Sequence, residues 1–434
     1  MSRISTSRVH ARGSFIVAAF VAACARTPIA TAPAPVSGEL APAQRTEVFE
    51  TVWKDVNEKF YDPQLKGADW QAAHAQYRAI VDTVSTDRSF YAAMNHMLWL
   101  LHDAHTRLRT PAAVAQQARQ EAANVGLTVR EVDGNATVVG VRAGSPAALA
   151  GIEPGMIVQT VNGVNAMERI AVVLPQLAPV GRAGTNWRAF TQVFNGQRDS
   201  AMHVTVERAD GPTFDAALTA QVISVAPEVD AHVLPSGDAY IKWNVFRPPS
   251  AKDVAAAVKR FKDAPGMILD LRDNPGGASA ELTAVAALFL DDKTAVFQAG
   301  TRHGSTPPNP AMTYIGTKGG AAYRGPVVIL LNEASGSSSE LFSSALQESG
   351  RVKVAGVESC GCVIGINGAI KLTGGAQLDI GNVLYETPHG EKLDGRGVIP
   401  DIRATPTLAD LRAKRDVVLE TADQALRGVS AIRH

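Results

Sequence analysis

The sequence predicts an α/β multidomain protein built in three successive parts, and three observations predict it. Val48, Val52, Val56 and Phe60 recur at a spacing of four, which lays them along one helix face. From about residue 120 the pattern changes to β-branched runs, such as Thr137 to Val141, broken by Gly and Pro turns. From about residue 222 strands and helices alternate, as in a mostly parallel sheet covered by helices.

The chain has 434 residues, enough for several domains and a sizeable core. Lys plus Arg is 42 and Asp plus Glu is 42, so the formal net charge is zero. That balance, with no basic run interleaved with aromatics, gives no reason to expect nucleic-acid binding or electrostatic capture by anionic lipid. A content of 46% hydrophobic and 19% charged residues is that of ordinary globular protein.

The first residues form a leader. Arg3, Arg8 and Arg12 make a positive start, and Ser14 to Ala23 is apolar but too short to span a bilayer. Val21-Ala22-Ala23-Cys24 follows, and a small-residue site ending in cysteine resembles the bacterial lipobox. The resemblance implies a signal peptide over 1–23, lipidation of Cys24 and an exported chain anchored in the cell envelope, facing the periplasm. With Ala25 rather than Asp next, the outer membrane is the default destination. An ordinary signal peptide cleaved near Ala23 or Ala25, with Cys24 incidental, is the alternative. Residues 24–44, rich in Ala, Pro, Thr and Ser, read as an extended tether. The two remaining cysteines, Cys360 and Cys362, lie one residue apart, where a ring so small makes a poor structural staple. No disulfide scaffold is expected.

Residues 45–119 are expected to form a helical bundle. After the first helix, Tyr61-Asp62-Pro63 breaks the chain. A second helix is predicted over about 69–83 and a third over about 87–101, which leads into Leu101-His102-Asp103-Ala104-His105-Thr106. Residues 120–221 contain, in order, Asn124-Val125-Gly126-Leu127-Thr128, Gly144-Ser145-Pro146-Ala147, Ala150-Gly151-Ile152, Pro154-Gly155-Met156-Ile157 and Val161-Asn162-Gly163. This order resembles a PDZ domain of the bacterial protease type. The resemblance implies addition of a peptide to a sheet edge, with amides near Val125, Gly126 and Leu127 capping its carboxylate. A PDZ-shaped spacer that binds nothing is the alternative.

In residues 222–434, Ala239 to Trp243 reads as a strand and Ser250 as the cap of a helix over 251–263. Met267 to Leu271 and Val327 to Leu331 read as buried strands. Two strand ends could do chemistry. Asp270-Leu271-Arg272-Asp273-Asn274-Pro275-Gly276-Gly277 leaves backbone amides at the carboxyl end of a strand, where α/β sheets put their sites, and such amides suit an oxyanion hole. Asn332-Glu333-Ala334-Ser335-Gly336-Ser337-Ser338-Ser339-Glu340 opens a helix, whose N-terminus favours developing negative charge. Ser337-x-x-Glu340 also fits a capping box, which would occupy the hydroxyl. His105 could be a base or a packed histidine. His102, Asp103 and His105 raise a metal site, but with no further ligand cluster none is expected, and no cofactor is expected either.

DLRDNPGG, then SGSSSE, then Leu393-Asp394-Gly395-Arg396-Gly397-Val398-Ile399-Pro400-Asp401 resembles the carboxyl-terminal processing (tail-specific) serine peptidases. The resemblance implies a crotonase- or ClpP-like α/β catalytic core, Ser337 as nucleophile, and an oxyanion hole from Gly276 or Gly277 and Ser338. The best known members use a Ser/Lys pair, but the lysine position here holds Cys362, and Ile366 stands where a glutamine often orients that lysine. A thiol is a weaker base than an amine and more often buried and inert. The helical segment ending in Leu101-His102-Asp103-Ala104-His105-Thr106-Arg107-Leu108 is similar to the tricorn-core and retinoid-binding-protein branch. That similarity implies His105 as base and Asp394 near the position of the catalytic acid, with Asp103 as a candidate for the same role. Ala104 stands where the tricorn core has a serine linking histidine to acid.

The function implied is a serine endopeptidase of extracytoplasmic proteins or peptides, holding free carboxyl termini in the PDZ-like segment. A catalytically inactive binding lipoprotein on the same fold is the alternative. A nucleophilic Cys362 or a Cys360/Cys362 redox switch is a third reading.

Overall fold

The computed structural model describes residues 39–431 except 178–179, 196–200 and 303–311. The leader, Cys24 and most of the tether lie outside the described residues. Among the described residues no helix is long and apolar enough to cross a membrane.

The first part is helical. Helices Pro42–Lys59, Trp70–Val81 and Asp87–Trp99 pack around Val48, Phe49, Val52, Val56, Phe90 and Met94, all buried. Asp69 and Thr86 cap the second and third helices by accepting from backbone amides three residues on, at 2.9 and 3.2 Å. Leu378 and Ile380, from far along the chain, complete this core. Leu378 lies on the strand Gln377–Asp379, which pairs antiparallel with Arg107–Arg109, and Ile380 directly follows that strand. Thus the segment just after His105 is stitched to the last third of the chain.

The second part is a sheet with strand order Leu127–Val132, Asn135–Val141, Ile157–Val161, Ala201–Glu207 and Thr213–Thr219, in which the short strand Val164–Asn165 pairs with Ile157–Val161. Helices Ala166–Val173 and Arg182–Phe194 cover its apolar core of Val129, Val138, Phe190 and Val206. Leu127–Val132 is an edge strand. At the base, Glu121–Asn124 pairs antiparallel with Gln221–Ser224, which closes the two ends of this part on each other.

The third part is the α/β core. Its six-stranded sheet runs Val229–Val233, Ala239–Trp243, Met267–Asp270, Val327–Leu331, Lys353–Gly356 and Ile402–Arg403, parallel except at the first pair. Met267–Asp270 and Val327–Leu331 are wholly buried and adjacent. This is the continuous apolar pattern of a strand covered on both faces. Trp243, Phe246 and Phe342 meet edge-on or tilted beneath the sheet's carboxyl end. Full burial of each such ring contributes about 1.5–3 kcal/mol. Helix Ser250–Arg260 begins at Ser250 itself, with Pro249 at the cap position, and the Ser250 hydroxyl donates to the Val245 carbonyl at 2.7 Å. The sequence expectation of a Ser250 cap is therefore corrected: its hydroxyl fixes the preceding turn instead.

The two cysteines read as a candidate redox pair are bonded to each other. Cys360 and Cys362 are joined in a disulfide with their Cα atoms 5.2 Å apart, a separation within the range such bonds span.

Candidate active site

Because Met267–Asp270 and Val327–Leu331 are parallel neighbours, the turns that follow them lie side by side at one sheet end. The first turn divides its labour. Asp270, fully buried, is gripped by Arg272, whose Nη2 lies 2.6 Å away and reaches on to Asp416 at 2.8 Å. Burial pushes the Asp270 carboxyl up, but the Arg272 guanidinium outweighs it and holds the pKa below the usual range. This pair is structural. Asn274, fully buried, donates to the Trp243 carbonyl at 2.9 Å and accepts the Gly276 N–H at 2.9 Å. Gly276 has φ 92°, and a Cβ there would lie 2.6 Å from the Ser338 nitrogen and 2.8 Å from Ser337 Cβ. Only glycine lets the turns approach this closely.

The second turn carries four serines. Ser335 Oγ donates to the Leu271 carbonyl, Ser338 Oγ to the Gly277 carbonyl and Ser339 Oγ to the Asn274 carbonyl, all at 2.8–2.9 Å. Three hydroxyls thus bolt the serine turn to the glycine turn. The fourth, on Ser337, is half-exposed. It sits over the helix N-terminus in capping-box fashion, but the Glu340 N–H goes instead to the Ser337 carbonyl at 2.9 Å, and no side-chain cap bond is made. Ser337 has φ 53° and ψ −114°. Such a conformation costs a non-glycine residue on the order of 1–3 kcal/mol and persists only where its surroundings impose it. Glu340 imposes it. This fully buried carboxylate accepts from Ser337 N–H at 2.8 Å, Ser359 Oγ at 2.6 Å, Gly361 N–H at 2.7 Å and Cys362 N–H at 3.0 Å. Burial raises its pKa to about 7, against the lowering by these four donors.

Ser337 opens into a cavity of about 1140 Å³, which His105, Gly277 and Ser338 also line. Helix Arg182–Phe194 of the second part contributes Trp187 and Arg188 to its wall. No lysine lines it among the described residues. His105 arrives from the helical part, held by the strand pairing after it and by Asp103. Asp103 accepts from the His105 N–H at 2.9 Å, the Thr106 N–H at 2.9 Å and the Thr106 hydroxyl at 2.6 Å, and that hydroxyl accepts the Gly381 N–H at 2.9 Å. Burial would raise the Asp103 pKa, but the His105 ring and these hydrogen bonds overcome it and hold the carboxyl at about 2. Asp103 Oδ1 lies 3.6 Å from His105 Nδ1. That is longer than a hydrogen bond, and Nδ1 is buried with no hydrogen-bond partner among the described residues.

The site residues read from the sequence fall out as follows. Ser337, His105, Gly277 and Ser338 face one cavity. The Gly276 amide is committed to Asn274, while the Gly277 and Ser338 amides have no protein acceptor among the described hydrogen bonds. Asp394, expected as the acid, is not among the residues lining this cavity. It accepts from Lys66 Nζ at 3.0 Å and from the Val363 N–H at 3.2 Å, and it reaches the histidine loop only through Lys66, which also donates to the His102 carbonyl at 2.9 Å. Asp103 has the position beside the ring. Val125 is fully buried, the Gly126 N–H is donated to Asn124 Oδ1, and Leu127 pairs with Val141. His102, Asp103 and His105 belong to no metal-binding group of three or more ligands among the described residues.

Sequence reasoning missed Lys66, which carries no motif, and Arg130. Arg130, on the edge strand Leu127–Val132, bridges to Asp273 at 2.9 Å and to Glu333. These two acids sit just before the glycine turn and the serine turn. A charged residue amid an alternating strand was the available signal.

Comparison with known proteins agrees with this architecture. Residues 238–404 match the model of Peptidase family S41, and residues 41–99 match the tricorn protease C1 domain. The carboxyl-terminal-processing protease of Synechocystis is 26% identical over 398 residues, covering 88% of this chain and 87% of its own. The chloroplastic carboxyl-terminal-processing peptidase 3 of Arabidopsis thaliana is 28% identical over 390 residues, covering 86% and 71%. Among solved structures, mature CPAF complexed with lactacystin superposes with a TM-score of 0.68 at 14% identity over 89% of this chain and 98% of that one. The photosystem II D1 C-terminal processing protease gives 0.56 at 22% identity over 88% and 97%. The S41 match spans both turns and all but the first strand of the sheet that carries them, so residues 238–404 form an S41 peptidase domain, and the chain is a serine peptidase similar to the carboxyl-terminal-processing proteases.

Proposed function

We propose that the chain is an endopeptidase in which Ser337 attacks the scissile carbonyl, His105 takes its proton and Asp103 orients and charges the imidazole. The observation that carries this reading is the contrast among the serines. Three hydroxyls are spent on structure, while the fourth stands uncommitted on a strained turn in the same cavity as His105. With Nδ1–H aimed at Asp103, Nε2 is the base. The 3.6 Å contact between Asp103 and His105 shortens to a hydrogen bond when substrate closes the site. The amides of Gly277 and Ser338 stabilise the tetrahedral oxyanion, aided by the N-terminus of helix Ser338–Glu348. After acyl transfer, protonated His105 gives its proton to the leaving amine.

The second part is read as a PDZ-like module. Its edge strand Leu127–Val132 accepts an extended peptide, and Leu127 is the amide best placed for the terminal carboxylate, because Gly126 is occupied. Substrates are extracytoplasmic proteins or peptides with free carboxyl termini, in keeping with the leader and the lipid-bearing Cys24 that the sequence predicts.

A fluorophosphonate probe tests the mechanism. Wild type labels, Ser337→Ala does not, and His105→Ala labels about 10³-fold more slowly. Labelling that survives Ser337→Ala removes Ser337 as nucleophile. A folded wild type that binds carboxyl-terminal peptides but neither labels nor cleaves denatured protein is a binder, not a peptidase.

A further inference from the structure

The catalytic cavity contains a second chemistry that the serine mechanism does not use. The disulfide partners Cys360 and Cys362 both line the cavity together with Ser337 and His105. Their backbone is part of the nucleophile's support. The Cys360 N–H donates to the Ser335 carbonyl at 3.0 Å. The Gly361 N–H binds one oxygen of Glu340, and the Cys362 N–H binds the other. That second oxygen, Oε2, is the one that accepts the Ser337 N–H. A single oxygen therefore joins the amide of the nucleophile to the amide of a disulfide cysteine. On the far side, helix Arg182–Phe194 leans on the same bridge: a Cβ at Gly184 would lie 2.7 Å from Cys360 Sγ. Cys360 is thereby covered, and Cys362, 7% exposed against 2%, is the sulfur more open to the cavity.

We infer that Cys360–Cys362 is a reversible redox-modification site, reduced by a dithiol, whose disulfide form holds Ser337 in its reactive conformation. This rests on the peptidase reading above. A reductant thiolate attacks Cys362 Sγ, the S–S bond breaks, and Cys360 leaves and takes up a proton. The second reductant thiol attacks the mixed disulfide and releases Cys362 as a thiol. Two electrons and two protons pass to the pair, and the reductant ends as a disulfide. The closed ring keeps the Gly361 and Cys362 amides convergent on Glu340. Opening it frees the segment 359–362, slackens the shared oxygen and lets Ser337 relax from φ 53°. Misplacement of a reacting atom by a fraction of an ångström lowers turnover by about tenfold. Export, which the leader predicts, would put the pair in a compartment where disulfides persist.

The test equilibrates the full chain in mixtures of reduced and oxidised dithiothreitol. It reads alkylation of Cys360 and Cys362 by peptide mass, the rate on a denatured protein, and amide exchange at Ser337, Gly361 and Cys362. Alkylation and rate are expected to share one midpoint, with the reduced form about tenfold slower, faster exchange at the three amides, and recovery on reoxidation. The double variant Cys360→Ser, Cys362→Ser is expected to ignore dithiothreitol. A pair that resists alkylation in the folded protein overturns the proposal. So does a rate that stays flat while the pair becomes reduced, or a double variant that still responds. Absence of cleavage at every ratio defeats the peptidase reading instead, and unchanged exchange on reduction then overturns the redox site on its own.

Discussion

The two sides of the cavity are built on opposite terms. On the Ser337 side, two adjacent strand ends are bolted together by Ser335, Ser338 and Ser339, and Glu340 spends both oxygens on four donors. On the His105 side, the ring stands on a loop delivered by another part of the chain, facing Asp103 at 3.6 Å with Nδ1 otherwise unpartnered among the described residues. Ser337 is preorganised by local bonds, whereas His105 is positioned by a long-range strand pairing and one buried charge. Variants on the first side should therefore act through stability and geometry together, and variants on the second through chemistry.

The largest effect expected is from Ser337→Ala, a loss of about 10⁵ in kcat. Ser337→Gly should be equally inactive yet more stable by about 1 kcal/mol, because glycine tolerates φ 53°. A thermal melt that shows no gain would mean that the turn is not strained. Next is Asp103→Asn, expected to lower kcat by about 10³ through loss of the charge that fixes the His105 tautomer, while Asp394→Asn lowers it less than about tenfold. Comparable losses would restore Asp394 to the acid's role. The pH dependence follows from the sign of the shift. The Asp103 pKa is depressed to about 2 from its ordinary value of 3.8, so its stabilisation, roughly 2 kcal/mol, is complete above about pH 4 and disappears as pH falls towards 2. Acid unfolding of Asp103→Asn should lack that limb.

Glu340 shifts the other way. Its pKa is raised from 4.5 to about 7, so the stability it contributes is complete below about pH 4.5 and is lost as pH rises through 7. Glu340→Gln should remove that slope. It should also cost about 1–3 kcal/mol at neutral pH, because all four partners are donors and the amide NH₂ can accept from none of them. A variant as stable as wild type in denaturant titration would show that the bonds do not constrain the turn.

Much of the Ser337 side was legible in the sequence because its determinants are local. A buried apolar run, Asn-Pro-Gly-Gly and a serine cluster before a helix are read within a few residues, and the structure puts them at neighbouring strand ends. The parallel sheet and the three bundle helices were legible for the same reason, with ends displaced by a few residues. The His105 side was legible only through resemblance. Asp103 rather than Asp394 sits beside the ring because the turn Asp103 to Thr106 folds the carboxylate back onto its own loop, and Lys66 draws Asp394 away. Neither fact has a periodicity. The disulfide entered the sequence reading only as a redox alternative, because so small a ring argues against a structural staple.

Arg130 is the smallest lever and the most informative. It stands on the edge strand read here as the peptide-binding edge, yet its guanidinium reaches Asp273 and Glu333, one residue ahead of Asn274 and two ahead of Ser335. Asn332 ties the same acids' turns together, accepting the Asp273 N–H at 3.0 Å and donating to Asp273 Oδ1 at 3.1 Å. The Arg130 side chain is only 11% exposed and its Glu333 partner 19%, so Arg130→Ala leaves Glu333 without its partner and should cost about 1–3 kcal/mol of stability. If the edge strand communicates with the catalytic turns through this residue, kcat falls about threefold on a substrate with a free hydrophobic carboxyl terminus and not on a short peptide that reaches only the cavity. Equal losses on both substrates would make Arg130 a prop for the turns alone, and the rigid side of the site would then owe nothing to the second part of the chain.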